Sequence, residues 1–134
     1  DEAYVVAARK RHRLISTKLT LGTYLRCEHV LVTNTRNPGG RLERGFAASG
    51  ATRNVTMVMP SFLAALATLK MSDRILTLPE SLARNFADAF GLKVFPLPLK
   101  LPKFEVSLIY HPRSERDPAL SWFRENIRTL AREL

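Results

Sequence analysis

Thiols are nearly absent from the chain: Cys27 is the only cysteine. No intrachain disulfide can form, and this usage fits a reducing, cytoplasmic setting. Long apolar runs are missing too. No stretch of about 18 or more uncharged apolar residues occurs, so neither a transmembrane helix nor a membrane partner is expected. The opening residues, Asp1-Glu2-Ala3-Tyr4, show neither an initiator Met nor a signal-peptide pattern. They lead almost directly into a strand, which predicts a fragment of a longer chain. There is no internal repeat and no low-complexity tract to point to an array or a tail.

The familiar chemical signatures are also absent. Asn34 to Gly40 is the most turn-rich segment, but its two glycines are not followed by the Gly-Lys-Ser/Thr ending of a nucleotide loop. His12, His29 and His111 stand at unrelated places, and Cys27-Glu28-His29 lacks metal-ligand spacing. A Cys-His nucleophile pair needs side chains that face each other, which adjacent residues at a helix-strand junction rarely do. Ser61 lacks the Gly-x-Ser-x-Gly elbow that exposes a nucleophilic serine. The sequence therefore predicts no catalytic residues, no metal and no cofactor: this is not an enzyme.

Acidic residues are scarce relative to basic ones. Lys and Arg number 21 against 12 Asp and Glu, a formal charge of +9 over 134 residues. Such an excess suits a surface for nucleic acid or another anion. It equally suits a basic, solvated exterior whose acidic complement lies elsewhere in a longer chain. The densest run, Arg9-Lys-Arg-His-Arg13, reads as an exposed turn or as a phosphate contact. Apolar content of 46% and the chain length are enough for one domain with a real core.

The organising stretch is 53–83. Val55, Met57 and Met59 alternate with Asn54, Thr56 and Val58 over a strand's length. Pro60 stops that strand and is expected in the first turn of a helix, where its missing N–H costs nothing. Phe62, Leu63, Leu66 and Leu69 follow at helical spacing, and Ile75, Leu76 and Leu78 form a second short strand. Strand, helix and parallel strand make a βαβ unit. Such sheets bind ligands at the carboxyl ends of their strands, beside helix N-termini, where Pro60, Ser61 and Phe62 fall.

Around it, strands are predicted over Ala3–Ala8 and His29–Thr33, with a Thr20-capped helix reaching Arg26 between them. A helix over Arg41–Ser49 stops at Gly50. Leu82, Phe86 and Phe90 extend another to Gly91. Prolines at 96 and 98 suit an edge strand or linker over 94–101. Phe104, Val106, Leu108 and Tyr110 alternate as a strand, and Asp117-Pro118 opens an amphipathic helix with Leu120, Phe123, Ile127, Leu130 and Leu134 on one face.

The strand leading into Pro60-Ser-Phe-Leu-Ala64, then Asp73-Arg-Ile-Leu-Thr-Leu-Pro-Glu-Ser-Leu-Ala83, resembles the regulatory half of LysR-type transcriptional regulators of bacteria. The resemblance continues through Phe90-Gly-Leu-Lys-Val-Phe-Pro-Leu-Pro-Leu99, Ser107-Leu-Ile-Tyr-His-Pro-Arg113 and the Trp122-bearing helix. It implies an α/β fold of periplasmic-binding-protein-like type 2, a mixed and mostly parallel sheet flanked by helices. Residues 1–103 would be the second effector-binding subdomain. Residues 104–134 would be a strand and helix that return to a first subdomain.

A small-molecule effector, anionic or aromatic, is then expected in the cleft between subdomains, and the chain would serve as an effector sensor. Ser61 would donate a hydrogen bond, or simply cap its helix. The N–H groups after Pro60 and the helix dipole would favour an anion. Phe62 would wall the site, or belong to the core, and Thr77 would offer a strand-end hydroxyl. Thr33, Asn34 and Thr35 are further polar contacts that the resemblance implies. It also implies a homodimer or tetramer through Arg41, Leu42, Arg44, Gly45, Val55 and Met57. DNA would be bound by a winged helix-turn-helix outside this chain. The rival readings are a free-standing solute-binding module, since fold alone does not give function, and a basic module that binds DNA by itself.

Overall fold

The computed structural model describes residues 1–34 and 40–133. The chain divides into two compact units, Asp1–Phe104 and Glu105–Leu134. The first contains β1 (Tyr4–Arg9), α1 (Leu21–Arg26), β2 (Glu28–Val32), α2 (Arg41–Ala48), β3 (Asn54–Met59), α3 (Phe62–Leu69), β4 (Arg74–Pro79), α4 (Glu80–Phe86) and β5 (Leu92–Pro96). The second contains α5 (Pro118–Glu133), preceded by a 3-10 turn over Pro112–Ser114.

The five strands form one sheet in the order β3-β2-β4-β1-β5. β2 pairs in parallel with both β3 and β4, while β1 runs antiparallel to both β4 and β5. Four strands therefore point one way and β1 alone is reversed. Connections that carry α2 and α3 return the chain to parallel strands, as short crossover helices must. The α3 crossover steps over β2, which makes β3 an outer strand. Its burial shows this: Val55 and Val58 are exposed.

Period-two alternation decides which face each strand residue covers. Val6, Ala8 and Ile75 join Tyr24, Leu42 and Phe46 in a core on the α1/α2 face. Ala7, Leu76 and Leu78 join Ala65, Leu66 and Leu69 of α3, and Ala83 of α4, on the opposite face. The Phe62, Leu66 and Leu69 spacing marks one side of α3, and that side packs inward. Gly50 and Gly91 adopt φ of 70° and 67°, and each lets the chain turn back into the next strand. Gly91 comes later than a helix end, because α4 stops at Phe86 and a turn intervenes.

Two expectations change. Residues 105–110 form no strand, and only Phe104 bridges to the sheet, exchanging backbone hydrogen bonds with Glu2 (2.8 and 2.9 Å). The alternating pattern is present, but a strand needs a hydrogen-bonded neighbour, and among the described residues these have none. Pro60 also lies before the helix, not in its first turn. Ser61 holds the extended N-cap conformation (φ −139°, ψ 135°) and Phe62 is the first helical residue.

In the second unit the capping expectation holds. Asp117 Oδ1 accepts hydrogen bonds from the N–H groups of Ala119 (2.9 Å) and Leu120 (3.1 Å), the geometry of an N-cap carboxylate. Arg124 lies over the Tyr110 ring and donates to the Ser114 carbonyl at 2.8 Å, which ties α5 to the segment before it. Leu108, Ile109, Leu120, Phe123 and Leu130 nonetheless remain exposed.

Candidate functional site

β2, β3, β4 and β5 all end at one edge of the sheet, where β1 begins. The backbone N–H of Thr33 donates to the Met59 carbonyl at 2.9 Å, extending the β2–β3 pairing one step past Val32↔Met59. This bond sets Thr33 beside Met59, with Asn34 and Pro60-Ser61 next along their strands, so residues far apart in sequence leave the sheet at one corner. Ser61 is exposed, and its hydroxyl makes no capping bond, although its carbonyl accepts the first helical bond, from Ala65. The first N–H groups of α3 have no partner inside the helix and carry the positive end of its dipole. Phe62 is half-buried against the apolar core of the α3/α4 face and presents only part of its ring.

Thr77 does not join this corner. It lies inside β4 on the α1/α2 face, is 5% exposed, and its hydroxyl meets the Tyr24 hydroxyl at 2.7 Å. A residue one position earlier or later on β4 faces α3; the parity of the strand turns Thr77 the other way. Thr35 lies outside the described residues.

The residues expected at a dimer contact also separate. Val55 is exposed and Met57 half-buried on the outer strand β3, and Arg44 is exposed on α2. Arg41 opens α2. Leu42, by contrast, is buried in the chain's own core. Gly45 fits closely against Leu101: a Cβ there would stand 2.6 Å from Leu101 Cδ2. Helix period places these two on the inward face of α2, whereas Arg44 points away.

Sequence reasoning missed a buried polar network on the α1/α2 face. Arg53, 9% exposed, is paired with Glu43 and stacks its guanidinium over the Phe46 ring, 5.4 Å from the centroid. Phe46 in turn stacks on Tyr24 at 5.3 Å. His29 is fully buried, and its Nε2 meets the Tyr24 carbonyl at 2.9 Å, so that nitrogen carries the proton; Nδ1 has no partner among the described residues. Burial, followed by the nearby Arg53 cation, pushes the His29 pKa down to about 4. Burial likewise raises Tyr24, against the opposing influence of Arg53 and the Thr77 hydrogen bond. His29, directly before the apolar run Val30-Leu31-Val32, gave a weak signal; Arg53, between Thr52 and Asn54, gave none.

Cys27 is buried and its thiol is pushed up by desolvation, so it stays protonated. A protonated thiol and a neutral imidazole held by a backbone carbonyl do not make an activated nucleophile. Among the described residues no three His, Cys, Asp or Glu side chains converge to hold a metal ion, and no helix is long and apolar enough to cross a membrane.

The same edge of the sheet carries a second concavity. A groove of about 610 Å³ runs beside β1 and β5, lined by Tyr4, Val5, Pro96, Leu99, Leu101 and others, with Glu80 and Lys100 as its charges. β2 and β4 separate it from the Ser61 corner, roughly 15–20 Å at ordinary strand spacing. It is a separate feature.

Comparison with known proteins bears on the family and the fold. The transcriptional activator NagR of a Ralstonia species is 31% identical over 122 residues, spanning 91% of this chain and 40% of NagR. A transcriptional regulator from Vibrio parahaemolyticus superposes with a TM-score of 0.82 at 27% identity, over 96% of this chain and 60% of that one. The regulatory domain of MexT, a transcriptional activator of Pseudomonas aeruginosa, gives 0.77 at 26%, over 94% and 60%. The chain thus spans about two fifths of the curated relative's length. The family model for the LysR substrate binding domain matches residues 1–132, and the chain belongs to that family.

Proposed function

We propose that the chain is the effector-sensing part of a LysR-type transcriptional regulator, and that the effector is a small anion or aromatic acid held at the Ser61 corner. One observation supports this reading: the Thr33 N–H to Met59 carbonyl bond joins the end of β2 to the strand end that leads into Ser61, a serine whose hydroxyl is not spent on its own helix. Ser61 donates to the ligand, the first N–H groups of α3 and their dipole favour its negative charge, and the exposed part of Phe62 supplies an apolar wall. Thr33, Asn34, Thr35 and Pro60 complete the set. Thr77 is left out because Tyr24 already holds its hydroxyl.

The opposite wall of the cleft is a first subdomain in the longer protein, and the apolar side chains of 105–134 pack on it. DNA is bound by a separate winged helix-turn-helix, and the regulator is a homodimer or tetramer that meets its copy along β3 and the outer side of α2, through Arg44, Val55 and Met57. It works in the cytoplasm, without a cofactor and without catalysis. The effector shifts transcription only through different affinities for two arrangements of the subdomains. Family membership favours this over a free-standing solute-binding module.

The test is a thermal-shift screen of small organic carboxylates on the full-length regulator and its Ser61→Ala variant. A compound that raises the melting temperature of the parent, with the shift reduced in the variant, is the expected result. A shift of equal size in both proteins would move the site away from Ser61.

A further inference from the structure

The positive charge is not spread over the molecule. The end of the sheet opposite the Ser61 corner, where β2, β3, β4 and β5 begin and β1 finishes, is built from residues 9–28, 49–54, 70–74 and 87–93. These segments hold ten Lys and Arg against three Asp and Glu; with Arg53 buried and paired to Glu43, a net +6 out of the chain's +9 remains at that end. Residues 105–134 carry five of each sign. The excess belongs to one end of one unit.

Two of the three acidic groups there are already engaged. Asp73 accepts from Arg9 at 2.6 Å and Arg13 at 2.7 Å, and Glu28 faces Arg74 at 3.2 Å. His12 is buried with its Nε2 on the Asp73 carbonyl at 2.6 Å, while its Nδ1 accepts the Leu14 N–H. The Asp73 cluster therefore pins the loop after β1 at several points and holds its conformation. Lys10, Arg11 and Lys18 stand exposed on that loop, with no ion-pair partner among the described residues. Lys93, on β5, donates to the Ser16 carbonyl at 3.4 Å and so adds its charge to the same surface, next to the exposed Ser16 and Thr17.

We infer that this end of the sheet is a docking surface for the phosphate backbone of duplex DNA, separate from any helix-turn-helix. A fixed loop bearing cations, hydroxyls and backbone N–H groups is the donor mixture that contacts phosphates without reading bases. An acidic protein is the competing occupant, because Leu14 and Met71 are exposed at the same end, by 51% and 91%. The unpaired cations on one pinned loop favour the polyanion, whose charge density needs no matching apolar patch. The inference does not depend on the effector reading: duplex binding and effector binding are measured at opposite ends of the sheet.

The experiment titrates the 134-residue chain with a random-sequence duplex of about 30 base pairs, between about 50 and 200 mM salt. Expected is a slope of log affinity on log salt of roughly −3 to −5, an overall loss of roughly 10²- to 10³-fold. Neutralising Lys10, Arg11 and Lys18 together to Gln lowers the slope by about three phosphates' worth, and each single change lowers it by about one. Neutralising Arg113, Arg116 and Arg132 removes the same charge from the other unit and leaves binding within about twofold.

Equal weakening by the two triple variants would show a bulk effect of net charge and overturn the surface. A flat salt dependence would overturn it too. Displacement of the duplex by polyglutamate at equal charge, abolished by Leu14→Ser and Met71→Ser, would assign the surface to an acidic protein instead.

Discussion

The two faces of the sheet are stabilised by different means. On the α3/α4 face, Leu66, Leu69, Leu76 and Leu78 are fully buried and the core there is apolar throughout. On the α1/α2 face the same sheet is covered by a core threaded with Tyr24–Thr77, His29 and the Arg53–Glu43 pair. Apolar packing is indifferent to pH and sensitive to volume. A buried polar network is the reverse: a change of shape costs it less than a lost partner or an added proton. One sheet thus carries a volume-sensitive side and a proton-sensitive side.

The sharpest way to break the comparison is to damage each face in turn. Leu69→Ala should cost about 2–5 kcal/mol in urea unfolding, by lost transfer energy plus a cavity, and by the same amount at pH 5 and pH 8. A cost that grew with acidity would mean the two faces are not separable.

Next in size is the proton effect. His29 is held near 4 in the folded chain, below its ordinary value of 6.5, because burial and the Arg53 cation disfavour its charged form. The unfolded chain therefore takes up the proton first as pH falls. Stability from the neutral imidazole is complete above about 6.5 and is lost as pH drops towards about 4, on the order of 3 kcal/mol in all. The variant His29→Gln should flatten that part of the stability-pH curve. An unchanged slope in the variant would assign the acid sensitivity to other groups.

Smallest is the loss of a single hydrogen bond. Tyr24→Phe leaves the buried Thr77 hydroxyl without its partner and should cost about 1–2 kcal/mol. Adding Thr77→Val should recover part of it, since removing both polar groups is cheaper than removing one. If the double variant is as unstable as the sum of the two single changes, the hydroxyls are not coupled.

Much of the fold was legible because local rules dominate where elements begin, end and alternate. Thr20 caps α1, accepting the Thr23 N–H at 3.2 Å. Asp117 caps α5, and Gly50 and Gly91 hold positive φ where the chain turns. The Ser61 corner was legible in part, since Thr33, Asn34, Pro60 and Ser61 all follow the ends of parallel strands. For Thr77, Leu42 and Gly45 the limit is a common one. Strand alternation for Thr77 and helix period for Leu42 and Gly45 show that each faces a definite side, but not which neighbour covers that side. Tyr24, the chain's own core and Leu101 supplied those neighbours from distant sequence.

The sequence by itself determined most of the elements and their caps and the sign of the net charge, which follow from nearest-neighbour sterics, period and composition; the family came from the resemblance of its motifs, in order, to LysR-type regulators. Only the tertiary structure decided that β3 is an outer strand, that residues 105–110 find no strand partner, that a histidine and an arginine share one buried network, and that the charge gathers at one end of the sheet. Each of these depends on which distant segments become neighbours, and local periodicity carries no information about the order in which strands pair.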